Sequence, residues 1–283
     1  MTVVGVLHPG SMGAAVAAEA RLGATEVLWC PTGRSSATKD RALRYGLTAA
    51  TDLRELIDRA DVIFAICPPA NAEDVATQVS AHAFTGIYVD GNAISPATMA
   101  RVAAIAARGG ATVVDASIIG SPPSDSKFPR LYLSGPSDAL ASVASLFTGS
   151  AVRTHALSDG IGRASALKLS YSSYQKTSRV LAAVSYALAR DYGVQEELLD
   201  IAQGRTNSYL AETDYIPKVA ARSWRWGPEM EEVAATLRET GLPAELAEAS
   251  ATVMARWGEL RDSPLSIPAA LEHLHDAPEG QSD

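Results

Sequence analysis

The segment from residue 2 to residue 23 constrains the fold more than any other part of the chain. Apolar residues, most of them branched, dominate positions 3–7, two glycines follow at Gly10 and Gly13, and the next stretch is rich in alanine. This pattern predicts a buried strand that turns sharply into a helix. At such a turn Gly10 lets a pyrophosphate approach the backbone, Gly13 lets the helix pack against the strand, and the helix N–H groups point at the anion. The predicted dinucleotide-binding residues are His8, Pro9, Gly10, Ser11, Met12 and Gly13.

The motif is weak by itself, because the usual fingerprint has three glycines and the first of these positions is His8 here. Two glycines can also mark a plain strand-to-helix turn. Motifs elsewhere in the chain are therefore needed to distinguish between the two interpretations.

Short apolar runs continue to alternate with helical stretches along the first half of the chain. A sheet in which parallel strands are covered by helices on both faces has this signature. A further strand-helix-strand unit follows at 130–155, and beyond Gly160 amphipathic helical stretches run to about Leu274, with breaks at 204, 227–228 and 241–243. The predicted fold is α/β, with an N-terminal Rossmann-type doubly wound parallel sheet followed by an all-α C-terminal domain. The predicted boundaries are 1–158 for the first domain, 159–275 for the second and 276–283 for a disordered tail.

Composition excludes several classes of partner and site. A net charge of -8 without a basic run argues against nucleic acid and against an anionic membrane surface. The N-terminal apolar run is broken too early for a signal peptide or a membrane span, so we expect a cytoplasmic protein. Cys30 and Cys67 are interpreted as reduced packing residues, and the histidines lack zinc-binding spacing, so no metal is predicted.

The loop after the second predicted strand indicates the coenzyme. In a Rossmann unit an acidic residue here binds the free 2′-hydroxyl of NAD, and residues 31–36 contain none. Arg34 offers a planar, charged group to a 2′-phosphate, Ser35 or Ser36 can donate to the same oxygens, and Lys39 adds charge. The sequence favours NADP(H), and the alternative is a solvated basic loop over 31–39.

The loops that follow the strands are expected to frame the coenzyme and the substrate. Ligands of such sheets lie outside the carboxyl ends of the strands, which here means the loops beginning at Pro68, Asp90 and Asp115. Within the first of these loops, Cys67, Pro68 and Pro69 are assigned to the coenzyme.

A stretch without proline from Gly160 to about Tyr192 predicts one long helix. At about 100° per residue, Lys168 and Ser172 fall on one polar stripe between apolar flanks, so the stripe is expected to line a cleft. The ammonium of Lys168 can supply a proton to, or a positive charge beside, an oxygen whose charge changes during hydride transfer. The alternative is a solvated lysine on an exposed face.

Taken together, these residues resemble the β-hydroxyacid dehydrogenase superfamily, whose members have a 6-phosphogluconate dehydrogenase type NAD(P)-binding domain and a helical C-terminal domain. The C-terminal half is similar to the DUF1932 type. Four segments carry the resemblance, namely 5–13, 90–96, 115–121 and 162–168. The resemblance implies that Lys168 is the catalytic lysine and that the second and third segments bind the substrate. The residues assigned to the substrate are Asn92, Ala93, Ile119, Gly120, Ser121, Ser172 and Trp226.

This chain departs from the superfamily in both substrate loops. Asn92-Ala93 stands where the family has Ser-Thr, and 119–121 reads Ile-Gly-Ser where the family has Ser-Gly-Gly. Tyr171 and Ser172 replace the asparagines that follow the lysine, and the Tyr171 phenol can share the proton transfer or simply pack. Trp226 belongs to an aromatic cluster with Trp224, which either closes the pocket or packs between helices.

The resemblance implies an NADPH-dependent oxidoreductase that transfers a hydride to or from a carbonyl or hydroxyl carbon, and a homodimer formed through the helical domain. The alternatives are an imine reductase of the same architecture and a sensor that binds NADPH without turnover.

Overall fold

The computed structural model describes residues 2–157, 160–204, 209, 212–261 and 263–275. In this part of the chain the N-terminal half forms an eight-stranded sheet in the order β3-β2-β1-β4-β5-β6-β7-β8. The strands are β1 (Val3–Leu7), β2 (Glu26–Trp29), β3 (Thr48–Ala49), β4 (Val62–Ala65), β5 (Ile87–Asp90), β6 (Thr112–Ile119), β7 (Arg130–Ser134) and β8 (Arg153–Ala156). Strands β1 to β6 pair in parallel, which confirms the Rossmann-type sheet.

Helices connect the strands and cover the sheet. They are α1 (Ser11–Ala20), α2 (Ser36–Arg44), α3 (Leu53–Arg59), α4 (Ala72–Ala81), α5 (Pro96–Arg108) and α6 (Ser137–Ser145). Two buried apolar clusters flank the sheet. One contains Val4, Val6 and Val16, and the other contains Leu28, Ile63 and Tyr88. Several helices begin at a polar cap; the Ser95 hydroxyl, for example, accepts a hydrogen bond from the Thr98 N–H at the start of α5.

The sheet is mostly parallel, which confirms the predicted fold class, and one pair of strands toward its β8 end is antiparallel. Strands β6 and β7 pair antiparallel, from Asp115 opposite Ser134 to Ile119 opposite Arg130. A parallel pair needs a crossover connection, usually a helix, whereas residues 120–129 form only a short loop that turns the chain back on itself.

The loop predicted over residues 31–39 is shorter than expected. Ser35 caps α2, and its hydroxyl accepts a hydrogen bond from the Thr38 N–H, so Ser36 and Lys39 lie on a helix. A serine that precedes a helix-forming segment is a signal for a helix N-terminus. These positions were assigned to phosphate binding, so the start of α2 was not predicted.

The chain divides into two compact units, 1–172 and 173–283. The boundary lies inside the long helix α7 (Arg163–Asp191), whereas the predicted domain boundary precedes that helix. The first turns of α7 are bonded to β6, which explains why they group with the sheet. The predicted tail, 276–283, lies outside the described residues.

The second unit is helical where it is described. After α7 come α8 (Gln195–Gln203), α9 (Ile216–Glu239), α10 (Glu245–Ala255) and α11 (Ile267–Glu272). Ala234 and Leu237 of α9 pack with Ala247 of α10 in a buried cluster. The predicted break at 227–228 was wrong, because α9 continues through Pro228. No helix in the described ranges combines the length and the apolar character needed to cross a bilayer.

Candidate active site

The turn between β1 and α1 has the geometry of an anion-binding loop. His8 adopts a left-handed backbone conformation with φ 66°, and its carbonyl accepts a hydrogen bond from the Gly10 N–H at 2.7 Å. Gly10 is the N-cap of α1, and as a glycine it has no side chain to accept a hydrogen bond from the N–H groups of the first helical turn. A Cβ at Gly13 would lie 3.0 Å from the His8 carbonyl oxygen, so the close approach of the helix requires glycine there. These N–H groups, with the positive end of the helix dipole behind them, suit a pyrophosphate.

Other predicted residues of this turn have structural contacts. Pro9 is buried, and its carbonyl accepts a hydrogen bond from the Arg41 guanidinium at 3.2 Å. Met12 packs against the core, and Ser11 is exposed at the start of the helix. Arg41 was not predicted from the sequence; it lies on α2, where only the tertiary fold brings it to the coenzyme loop.

A cleft of about 420 Å³ lies beside this turn and is lined by His8 and Arg34, among other residues. The structure thus brings together two predicted coenzyme residues that are far apart in the sequence. In the described part of the chain the cleft lining does not include Ser35, Ser36 or Lys39. The Ser35 hydroxyl bonds to Thr38 at the start of α2, while Ser36 and Lys39 are exposed.

The ends of β4 and β5 are joined by a buried network. The Asn92 amide oxygen accepts from the Cys67 N–H at 2.6 Å, and the Asn92 amide nitrogen donates to Asp90 Oδ2 at 3.0 Å. The Asn92 N–H donates to the other Asp90 oxygen at 3.0 Å. Asn92 is only 3% exposed, and its side chain joins the two loops. Next to it Ala93 is exposed, as are Pro68 and Pro69 in the neighbouring loop.

Burial raises the pKa of the Asp90 carboxyl from its usual 3.8 to about 7, although the hydrogen bonds from Asn92 oppose the shift. The nearby Asp115 adds a smaller contribution in the same direction as burial. Burial, with the neighbouring Asp90 carboxyl, likewise raises the pKa of the Cys67 thiol, to about 11. The thiol therefore stays protonated at neutral pH, in agreement with the prediction of a reduced packing residue.

The raised pKa of Asp90 predicts a pH dependence of stability. The folded protein binds the Asp90 proton more tightly than the unfolded chain does, so this stabilising contribution is complete below pH 3.8 and is lost as the pH rises through about 7. Replacing Asp90 with asparagine removes the titration. In urea unfolding, the stability of the wild type relative to Asp90→Asn is expected to decline between about pH 4 and about pH 7. A difference in unfolding free energy between the two proteins that does not change with pH would contradict the raised pKa of Asp90.

The start of α7 is anchored to the sheet by the buried carboxylate of Asp115. Its oxygens accept hydrogen bonds from the Gly162 N–H, the Ser165 N–H, the Ser165 hydroxyl and the Ser134 hydroxyl, at distances of 2.7 to 3.1 Å. A carboxylate at a helix N-terminus also interacts favourably with the helix dipole. Asp115 was predicted only as the start of a loop; its role as an anchor depends on partners far away in the sequence.

Lys168 lies next to the predicted second substrate loop. Its ammonium donates a hydrogen bond to the Ile118 carbonyl at 2.6 Å, near the carboxyl end of β6. Half-buried Ile119 and exposed Gly120 and Ser121 follow directly. The alternative of a fully solvated lysine is therefore wrong, because this side chain is half-buried and bonded to the sheet.

Tyr171 and Ser172 are half-buried on the next turn of α7, in the same compact unit as Lys168. Trp226 belongs to the other unit, on α9, where the Arg222 guanidinium lies 6.0 Å from its ring. Within the described residues, no group of three His, Cys, Asp or Glu side chains is arranged to hold a metal ion.

The turn and the cleft fit a nicotinamide dinucleotide. The first turn of α1 has uncapped N–H groups, and Gly10 leaves the backbone open, since the nearest atom to a Cβ there is 3.9 Å away. In addition, His8 Nδ1 and Arg34 Nε are buried polar atoms without a hydrogen-bond partner in the described part of the chain. An anionic ligand with several acceptor oxygens suits such a site.

Comparison with known proteins supports the same fold. Residues 189–257 match a domain of unknown function, DUF1932. An uncharacterised 28.5 kDa protein of Methanothermus fervidus is 29% identical over 178 residues, which are 63% of this chain and 67% of that protein. An imine reductase from a Pseudomonas species has a TM-score of 0.74 at 18% identity, with 97% of this chain and 99% of that chain covered.

A 3-hydroxyisobutyrate dehydrogenase from Mycobacterium tuberculosis has a TM-score of 0.63 at 19% identity, with 98% and 100% covered. At these identities the two solved structures establish the fold alone. Residues 3–157 match the NAD binding domain of 6-phosphogluconate dehydrogenase, which is more than half of the chain. The chain therefore belongs to the family with this NAD binding domain, whose fold it shares with nicotinamide-dependent dehydrogenases and reductases.

Proposed function

We propose that this protein is an NADP(H)-dependent oxidoreductase that acts on a carbonyl or hydroxyl carbon of a small organic substrate, with Lys168 as the general acid or base. The observation that carries the proposal is the hydrogen bond from the Lys168 ammonium to the Ile118 carbonyl, at the edge of the sheet where ligands of this fold bind. When bound, the nicotinamide supplies or accepts the hydride.

Lys168 suits this role because its ammonium is oriented by a backbone acceptor. A lysine ammonium carries three N–H donors, and the bond to Ile118 uses one of them. Such a group stabilises negative charge that develops on the oxygen and can deliver its proton there. We assign Tyr171, on the next turn, to a supporting role in this proton transfer.

The preference for NADP(H) over NAD(H) is supported by the cleft beside the coenzyme loop. Arg34 lines it and offers a guanidinium to a phosphate on the ribose. The acidic residue on the lining, Asp52, already accepts a hydrogen bond from the Glu55 N–H through its Oδ1.

For the substrate we propose a site formed by Ser121 and its neighbours Ile119 and Gly120, with Ala93 and Ser172 as further contacts. Ser121 is the best candidate to orient the substrate. Its hydroxyl is on an exposed residue just after β6, the strand whose Ile118 carbonyl accepts the hydrogen bond from Lys168. Asn92 contributes by fixing its own loop against Cys67.

A second candidate function is imine reduction. The engaged amide of Asn92 and the single hydroxyl in the Ile119-Gly120-Ser121 loop leave little to bind a substrate carboxylate. This favours substrates that lack a carboxylate, including cyclic imines, and one of the structural neighbours is an imine reductase.

A substrate panel tests the proposal and separates the two candidates. We expect NADPH oxidation with aldehydes or ketones, or NADP reduction with the corresponding alcohols or hydroxy acids, at rates that disappear when the coenzyme is omitted. Turnover confined to cyclic imines would establish the second candidate. The absence of turnover with every class, from a protein that binds NADPH, would contradict both.

We further propose that the protein is a cytoplasmic homodimer formed through its helical part. Tyr192 and Val194, in the connection between α7 and α8, and Ile201, on α8, are large apolar residues that are exposed in the single chain, as expected of a surface that a second copy covers.

A further inference from the structure

His8 occupies an unusual position at the end of β1. The dinucleotide fingerprint has glycine there, and the left-handed φ of 66° is a conformation that glycine adopts without strain. The turn nevertheless forms around the His8 carbonyl, which accepts the Gly10 N–H. A residue other than glycine in this conformation, beside a ligand-binding turn, suggests a role for its side chain in the site.

The imidazole of His8 lines the cleft of about 420 Å³ described above. The titratable and charged groups that share this cleft are Cys30 and Arg34 from the end of β2 and its loop, Asp52 and Arg54 from the start of α3, and His82 from the end of α4. The Asp52 carboxylate caps α3, and Arg54 forms an exposed ion pair with Asp58 at 3.5 Å. Arg34 is therefore the charged group of this cleft that we expect to influence the protonation of His8 most.

His8 and Arg34 are both incompletely satisfied. His8 Nδ1 and Arg34 Nε are buried and have no hydrogen-bond partner among the described residues. Burial and, as the smaller cause, the charge of Arg34 together lower the pKa of His8 from 6.5 to about 4, so the imidazole is neutral at pH 7. Two buried nitrogen atoms without a hydrogen-bond partner among the described residues, on side chains that line one cleft, favour an anion over a cation.

We propose that His8 and Arg34 together bind the phosphate on the ribose of the coenzyme, and that His8 takes up a proton as the phosphate binds. This inference rests on the proposed preference for NADP(H). A phosphate monoester carries a charge of about −1.5 to −2 at neutral pH and offers three acceptor oxygens. It offsets the charge of Arg34 and accepts a hydrogen bond from the imidazolium, and both effects favour the protonated form of His8. His8 thereby adds to the discrimination between phosphorylated and unphosphorylated coenzyme.

The test uses two fragments, adenosine 2′,5′-bisphosphate and adenosine 5′-monophosphate, which differ by one phosphate and need no catalysis. Calorimetric titrations in buffers of different ionisation enthalpy give the number of protons bound with each ligand. His8→Gly is the variant, since glycine accepts the backbone conformation at this position. The control is His82→Gln, which alters the other histidine of the cleft. Asparagine also tolerates a left-handed backbone, so His8→Asn shows whether a change seen in His8→Gly comes from the loss of the imidazole or from the greater backbone flexibility of glycine.

At about pH 6 we expect the wild type to take up more protons with the bisphosphate than His8→Gly does, and to bind it about tenfold more tightly. The monophosphate should bind both proteins within about twofold, and His82→Gln should behave as the wild type. By NMR, the His8 imidazole should titrate near pH 4 in the free protein and at or above its usual 6.5 with the bisphosphate bound.

Equal proton uptake by the wild type and His8→Gly, or tighter binding of the bisphosphate by His8→Gly, would overturn the proposal. So would equal affinities of the wild type for the two fragments. A protein that shows the expected proton uptake but transfers no hydride would support this inference and contradict the proposed activity, so the two failures are distinguishable.

Discussion

Lys168→Ala is expected to lower kcat by about 10²- to 10⁴-fold, the usual contribution of a positioned general acid or base. The variant loses the ammonium that is bonded to Ile118, while the coenzyme loop at Gly10 and the cleft at Arg34 keep their contacts. The dissociation constant of NADPH, measured by fluorescence titration, should therefore change by no more than about twofold. Steady-state kinetics with the best substrate of the panel give the change in kcat.

Two further variants separate proton transfer from charge. Lys168→Arg keeps a positive charge but binds its proton too tightly to release it, so it should restore little of the activity. Arg108→Ala removes one positive charge at the end of α5, at the opposite edge of the sheet, and should leave kcat unchanged. A non-catalytic NADPH sensor would show no loss of function in Lys168→Ala, and full activity of that variant would rule out the proposed role.

Asp115→Ala is expected to destabilise the protein by about 3 to 5 kcal/mol. The substitution leaves the buried N–H groups of Gly162 and Ser165 without an acceptor, at a cost of about 1–3 kcal/mol each, and the hydroxyls of Ser134 and Ser165 lose their partner as well. Urea unfolding followed by circular dichroism measures the loss. Asp125→Ala, at an exposed position, is the matched control and should change stability by no more than about 0.5 kcal/mol.

The same variant tests how α7 is held. Asp115 anchors the turn that precedes Lys168, so the folded fraction of Asp115→Ala should also be less active than the wild type. If Asp115→Ala unfolds at the same urea concentration as Asp125→Ala, the carboxylate does not anchor the helix.

The sequence allowed the sheet and its connections to be predicted wherever a local pattern determines them. The apolar run of β1, the glycines at 10 and 13 and the alternation as far as Asp115 all led to the observed Rossmann-type sheet. The helix around Lys168 was predicted because a long stretch without proline has a clear period. The end of β6 could not be predicted, because the antiparallel return of β7 depends on the length and path of residues 120–129.

The details of the site were harder to predict, because they depend on contacts between distant segments. The family resemblance implied that Asn92 lies in a substrate loop, but no local pattern indicates that its amide bonds to the backbone of Cys67, 25 residues away. Nor does any local pattern place His8 and Arg34 in one cleft, fasten Arg41 to Pro9, or bring Asp115 to the start of α7. In each case a polar side chain finds its partner only after the strands have been ordered in the sheet.

The antiparallel return of β7 has a consequence for how such a protein can be altered. Residues 120–129 connect β6 and β7, which are hydrogen-bonded to each other on either side of this connection. We therefore expect that the connection can be lengthened, shortened or exchanged while Asp115 and Ile118 keep their positions. The connection begins beside the Lys168 ammonium. Under the proposed function, this connection is therefore the part of the first unit where exchange of the loop is expected to change the substrate range without rebuilding the nucleotide-binding core.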